Sequence, residues 1–395
     1  MAYDLSIKNK AITDSVTLAI TAKAKKMKTE GIDVISFGAG EPDFNTPLHI
    51  CEAAIQAINS GQTGYTAAAG LPELKQAICE KFKNDNNLDY LPENIVVSNG
   101  AKHSLFNALQ TICNPGDEVI VPVPYWVSYP ELVIMADATP VLVATPESNG
   151  FKYNIENLKK SITSKTKAII INSPNNPTGT VYTKEDLKQI ADLAVENSIY
   201  IISDEIYEKL IYGENHVSIA SLSDEIKEIT IVVNGMSKAY AMTGWRIGYT
   251  ASKKEIANVM TNIQSHATSN PNTVAQYASI AALKGDQNPI NEMVSAFIER
   301  RNYMVDKINS IEGLSCRMPE GAFYVMINIS HIIGKKFDGF TVNGSMDFAE
   351  YLLNTANVAV IPGIGFGDDN YIRVSYATSM KNIKEGLERI EQALK

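Results

Sequence analysis

Seven short apolar runs through the middle of the chain, with helical patterns between them, limit its fold more than any other feature. They are Asn94–Ser98, Glu118–Val121, Pro140–Val143, Ala168–Ile171, Tyr200–Ser203, Ile229–Val233 and Arg246–Thr250. Short runs dominated by Ile and Val read as strands of a buried sheet. Between two of them Leu187, Ile190, Ala191 and Ala194 recur at helical spacing, behind Thr183 and Asp186 in an N-cap arrangement. Another helix is expected from about Lys102 to Ile112, after a turn at Gly100. Strand and helix alternating in this way predict an α/β sheet covered on both faces. The C-terminal third differs. Ile290, Met293, Val294, Phe297, Ile298, Met304, Val305 and Ile308 mark a long amphipathic helix, short strands follow near Ala322–Ile327 and Tyr371–Tyr376, and a stripe from Met380 to Leu394 closes the chain.

With 395 residues, the chain suits two domains or one large domain with a second built around it. Its net charge of −9 argues against nucleic acid or an anionic membrane as partner. The basic run Lys23–Lys28 reads as the solvated face of a helix. No membrane-spanning run and no signal peptide are evident. Four scattered cysteines form no CxxC pair, which predicts free thiols in a reducing cytoplasm. The five histidines show no metal-binding spacing, so no metal is expected.

The chemistry concentrates after the run Ile229–Val233, in Asn234-Gly235-Met236-Ser237-Lys238 and on to Thr243-Gly244-Trp245-Arg246-Ile247-Gly248. A lysine at a strand end, partly desolvated, becomes an amine nucleophile towards carbonyls. A nearby arginine suits a phosphate. Together they suggest an aldehyde that bears a phosphate, pyridoxal 5′-phosphate. Asp204 ends another strand run, where open α/β sheets bind ligands, and a buried carboxylate there needs a cationic partner such as a protonated ring nitrogen. A turn or helix-capping aspartate is the ordinary alternative. Ser98-Asn99-Gly100-Ala101-Lys102 opens a helix after a strand, a backbone cradle for phosphate or simply a strand–turn–helix corner.

The run around Lys238 closely resembles the lysine segment of class I aminotransferases, and the resemblance extends over nearly the whole chain as several motifs in fixed order. It implies pyridoxal-phosphate fold-type I. That fold has a large domain, residues 46–281, with a mostly parallel seven-stranded sheet flanked by helices. Both chain ends, residues 1–45 and 282–395, form a small α+β domain. It implies that Lys238 binds the cofactor covalently, that Asp204 meets its ring nitrogen, and that Tyr207 and Asn176 meet its ring oxygen. Trp126 would stack on the ring. Gly100, Ala101 and Arg246 would hold the phosphate, with Ser237 assisting, because Gly235 stands where many relatives carry a phosphate-binding serine. Tyr65, otherwise a loop aromatic with no evident role, would reach the phosphate of the neighbouring subunit, making a homodimer with shared active sites.

For substrates, the resemblance implies that Arg373 clamps the α-carboxylate in a bidentate geometry, aided by Gly40, Asn176 and Trp126. Lys102 with Ser15 and Thr17 matches the set that one aspartate aminotransferase subgroup uses for a distal carboxylate, and Thr13 bears there on prephenate. The expected activity is ping-pong transamination between aspartate and 2-oxoglutarate, with amino acids and 2-oxo acids as partners. Alternatives are an aromatic or branched-chain aminotransferase, a C–S lyase on the same fold, or a non-catalytic regulatory module. A nicotinamide dehydrogenase lacks its early GxGxxG; Gly363-Ile364-Gly365-Phe366-Gly367 has other spacing.

Overall fold

A computed structural model describes residue 12, residues 16–213 and residues 215–395. Seven strands, β1 (Ile95–Ser98), β2 (Glu118–Val123), β3 (Thr139–Ala144), β4 (Thr166–Asn172), β5 (Tyr200–Asp204), β6 (Thr230–Gly235) and β7 (Gly248–Ala251), form one sheet in the order β1-β7-β6-β5-β4-β2-β3. Strands β2 to β6 pair in parallel, whereas β7 runs antiparallel to both β1 and β6. Each expected strand is present, and the sheet has the expected mostly parallel character.

Side chains on alternate strand residues point to opposite faces, and both faces are dry. Ala168, Ile170 and Ile202 pack against Leu105 and Leu109 on one side, within a single apolar cluster. Ile169, Ile171 and Ile201 pack against Leu187, Ile190 and Ala194 on the other. Thus α4 (Ala101–Ile112) and α5 (Lys184–Glu196) cover opposite faces; α1 (Val16–Thr29), α2 (Leu48–Asn59) and α3 (Pro72–Asn86) precede them. The expected cap of α5 is a reciprocal box: Asp186 N–H donates to Thr183 Oγ1 at 3.2 Å, and Thr183 N–H donates to Asp186 Oδ2 at 2.9 Å.

A second, antiparallel sheet contains β8 (Ser315–Cys316), β9 (Tyr324–Asn328), β10 (Ile361–Pro362) and β11 (Tyr371–Ser375), in the order β10-β11-β9-β8. Helices α6 (Asn288–Asn309) and α7 (Met380–Ala393) share its apolar cluster. Near the N-terminus Ile35–Ser36 pairs in parallel with Val358–Ala359, tying the early chain to the late chain.

Two strands start two residues later than expected. Arg246 has φ +57° and Ala322 has φ +59°, left-handed conformations that no strand continues through. Hence β7 starts at Gly248 rather than Arg246, and β9 starts at Tyr324 rather than Ala322.

Candidate active site

The carboxyl ends of the parallel strands border a cavity of about 460 Å³. Asp204, the last residue of β5, lies in its wall and is 4% exposed. Tyr129 donates to Asp204 Oδ2 at 2.8 Å, and the Ile206 N–H donates to Oδ1 at 3.3 Å. Burial pushes the Asp204 carboxyl up to about 6, opposed by the Tyr129 hydroxyl and the Ile206 amide.

Lys238 follows β6, is half-buried and lines this cavity. Its ammonium donates to the Gly40 carbonyl and lies 5.7 Å from the Tyr207 ring centroid and 5.6 Å from that of Phe323. Burial brings it down to about 8; Glu41 pulls it upward, while Arg373 and Arg246 push it further down. A lysine so tuned supplies free amine at mildly alkaline pH.

Arg373, from β11, also lines the cavity and is 4% exposed. It donates to Asn176 Oδ1 at 3.0 Å and to the Gly38 carbonyl at 3.4 Å. Its guanidinium carbon lies 4.3 Å from the Tyr324 ring centroid and 4.9 Å from that of Phe366. Its Nε has no partner, and among the described residues no carboxylate pairs with it. A buried cation in this state is a receptor for an anion.

One corner of the cavity is built where β7 meets α4. A Cβ on Gly248 would collide with the Ala101 backbone nitrogen, so only glycine lets this strand lie against the helix N-terminus. Gly100 caps α4 with φ +86°, and a Cβ there would strike the Arg246 guanidinium. The first N–H groups of α4 and the Arg246 side chain therefore converge. Lys102 Nζ lies 4.9 Å from the Trp126 ring centroid; burial, then Arg246, lowers its ammonium from the ordinary lysine range. Ser237 shares the wall. At Gly235 a side chain would meet the Gly248 Cα and the Ile247 carbonyl oxygen, each 2.9 Å from its Cβ, a packing reason for glycine there.

Gly40, Ala101, Lys102, Trp126, Asn176, Asp204, Tyr207, Ser237, Lys238, Arg246 and Arg373 therefore surround one cavity, with Gly100 directly behind Arg246. Tyr65 lies elsewhere and is 93% exposed. Thr13 and Ser15 lie outside the described residues, as does the Thr17 side chain, although its backbone belongs to α1. Sequence reasoning missed Tyr129 and Tyr324, and also Glu41, which accepts from Thr243 Oγ1 at 2.6 Å. Trp126 precedes the helix Ser128–Met135 that carries Tyr129, and the two rings meet edge to face at 5.3 Å.

The residues fit pyridoxal phosphate on their own terms: a tuned amine, a buried carboxylate, a helix N-terminus beside an arginine, and an unpaired buried guanidinium. The family model for class I and II aminotransferases matches residues 32–390. The chain belongs to that family. This aminotransferase is 54% identical to an aspartate aminotransferase of Bacillus sp. (strain YM-2), over 98% of each chain. It is 46% identical to an aspartate/prephenate aminotransferase of Nitrosomonas europaea, over 99% of each. A crystal structure of the Rhizobium meliloti aspartate aminotransferase superposes with a TM-score of 0.96 at 44% identity, covering 99% of each chain. The aminotransferase is thus a pyridoxal-phosphate-dependent enzyme of fold-type I.

Proposed function

We propose that the aminotransferase moves the amino group of aspartate to 2-oxoglutarate, yielding oxaloacetate and glutamate in two half-reactions. The observation that carries this reading is the pair of cations lining one cavity. Arg373 lacks a carboxylate partner among the described residues, and Lys102 lies over Trp126. Two such cations suit a substrate with two carboxylates. Aspartate stands in the names of the relatives above, and prephenate, in one of them, is a further acceptor to test.

When bound, pyridoxal phosphate supplies an aldehyde for covalent capture of amines and a protonated ring that withdraws electrons from the bonds at the substrate α-carbon. Lys238 would hold it, and its free amine would carry a proton to and from the substrate α-carbon. Asp204 would keep the ring nitrogen protonated, and Tyr129 holds the carboxylate by its hydrogen bond. Tyr207 and Asn176 would meet the ring oxygen, and Trp126 would pack against the ring. Gly100, Ala101, Arg246 and Ser237 would take the phosphate. Arg373, Gly40 and Asn176 would orient the α-carboxylate, while Lys102 would meet the distal one.

The same reading makes residues 46–281 the large domain and residues 1–45 with 282–395 the small one; the two sheets and their separate apolar clusters support it. It also makes the enzyme a homodimer. The outer face of α2 exposes Leu48, Ile55 and Ile58, and Tyr65, bare on its own chain, would complete the neighbour's phosphate site. A cytoplasmic location is supported by four free cysteines, and no helix among the described residues is long and apolar enough to cross a membrane.

An amino-donor screen with 2-oxoglutarate as acceptor tests the reading. Aspartate should lead, and Lys102→Ala should lower its kcat/KM by roughly 30- to 1000-fold while affecting phenylalanine or leucine far less, at saturating cofactor. A preference for phenylalanine or leucine, or an equal loss on all donors, would mean a broader aminotransferase.

A further inference from the structure

We propose that Tyr324 is a positioning residue that couples the cofactor side of the cavity to the carboxylate side, its hydroxyl setting Tyr207 and its ring setting Arg373. The inference rests on the roles assigned above to Tyr207 and Arg373 and assigns a task to a residue that those roles leave unused.

Strand register explains the arrangement. Met326 of β9 stands opposite Arg373 of β11, and Tyr324 opposite Ser375. Tyr324 is two residues from Met326, on the same face, and so is the diagonal neighbour of Arg373, within reach of long side chains. The Tyr324 ring is 1% exposed and lies 4.3 Å from the guanidinium carbon. With Phe366 at 4.9 Å, Arg373 rests against two aromatic rings. Only two side-chain hydrogen bonds are made by this guanidinium among the described residues, so the rings supply much of what fixes its direction.

The other end of Tyr324 meets Tyr207, their hydroxyl oxygens 3.1 Å apart, with both side chains buried. Two hydroxyls sharing one hydrogen bond leave one proton for another partner. Arg373 lies against the Tyr324 ring, and a nearby cation makes a phenol the better donor. In this proposal Tyr324 is the donor to Tyr207, which leaves the Tyr207 proton for the cavity. Donation of this kind also strengthens the Tyr207 O–H as a donor in its turn. One side chain thus orders both the phenol facing the cofactor and the cation facing the substrate.

The two ends are separable by substitution. Wild type, Tyr324→Phe and Tyr324→Leu are compared as cofactor-loaded protein, without turnover. The readouts are the pH midpoint of the cofactor's visible absorbance band and the Kd of succinate from its spectral change. Tyr324→Phe keeps the ring and removes the hydroxyl. It should raise the midpoint by about 0.3–1 unit and leave succinate affinity within about twofold. Tyr324→Leu should raise the midpoint similarly and weaken succinate by roughly 5- to 30-fold. If Tyr324→Leu does not fold, Tyr324→Met takes its place. An unchanged midpoint in Tyr324→Phe overturns the hydroxyl assignment, and unchanged succinate affinity without the ring overturns the ring assignment. A wild-type spectrum indifferent to succinate would instead overturn the reading of Arg373, and this proposal with it.

Discussion

Asp204 and Glu205 are adjacent carboxylates with opposite surroundings, and those surroundings decide what each does. Asp204 faces the cavity with a Tyr129 donor. Asp204→Asn should keep the cofactor, because Arg246 and the α4 N-terminus remain, but should lose turnover by several orders of magnitude, since an amide cannot hold the ring nitrogen protonated. Absorbance of bound cofactor and a turnover assay on the same sample check both halves. Glu205 turns away and accepts from Ser203 at 2.8 Å, Ser218 at 2.7 Å and His216 at 3.1 Å. Glu208, close by, takes a short ion pair from Lys81 and a 2.8 Å bond from Asn86, all of it buried. Glu205, Glu208 and His216 gather closely enough to hold a metal ion, yet their carboxylate oxygens already have partners and Lys81 supplies the positive charge. Burial alone would raise the Glu208 carboxyl, but the Lys81 ammonium, His216 and the Asn86 amide bring it down to about 2. A carboxyl depressed on folding stabilises the native state above its unfolded pKa, and that stability is lost as pH falls through the folded value. The contribution of Glu208 should therefore vanish between about pH 4.5 and about pH 2. Glu208→Ala should cost up to about 3 kcal/mol at neutral pH, because buried Lys81 would keep only Asp85 at 3.7 Å as a charge partner and the Asn86 side-chain oxygen at 2.6 Å, and should flatten this acid limb in urea titrations taken at several pH values.

At the scale of elements, the chain announced its sheet and much of its site because both are local. Apolar runs ending in Asp204, or leading to Lys238, put sequence neighbours at one sheet edge, where parallel strands bind ligands. The cap of α5 was likewise contained in a few residues. Tyr129, Tyr324 and Glu41 were not legible because their partners lie far along the chain: Tyr324 is 117 positions from Tyr207, and Glu41 is 202 from Thr243. Nothing in an isolated tyrosine shows which distant group it will meet. Strand starts at β7 and β9 were misread because left-handed turns at Arg246 and Ala322 have side chains that do not advertise them. The face of α2 is where an element bears on assembly. Ile50, Ala54 and Ala57 are buried, whereas Leu48, Ile55 and Ile58 are 72%, 55% and 55% exposed. Such an apolar stripe suits contact with a second copy. Ile55→Glu with Ile58→Glu should shift the enzyme to monomers in sedimentation and remove activity together with it; a fully active monomer would refute the shared site.

Over the whole molecule, an acidic protein of net charge −9 concentrates Lys102, Lys238, Arg246 and Arg373 around one cavity, where Asp204 and Glu41 offset them only in part. Low-dielectric walls focus such a field on anionic ligands, so the KM for aspartate should rise with ionic strength more steeply than that for leucine. Both sheets contribute to the cavity lining: Asp204 from the parallel one, with Lys238 just beyond β6, and Arg373 and Tyr324 from the antiparallel one. The chemistry depends on the tuned amine of Lys238. Borohydride reduction of the cofactor-loaded enzyme, followed by peptide mapping, tests it most directly. The reduced cofactor should be found on Lys238, and Lys238→Ala should retain no adduct and almost no turnover. Cofactor mapped to any other lysine, or an active Lys238→Ala enzyme, would contradict it.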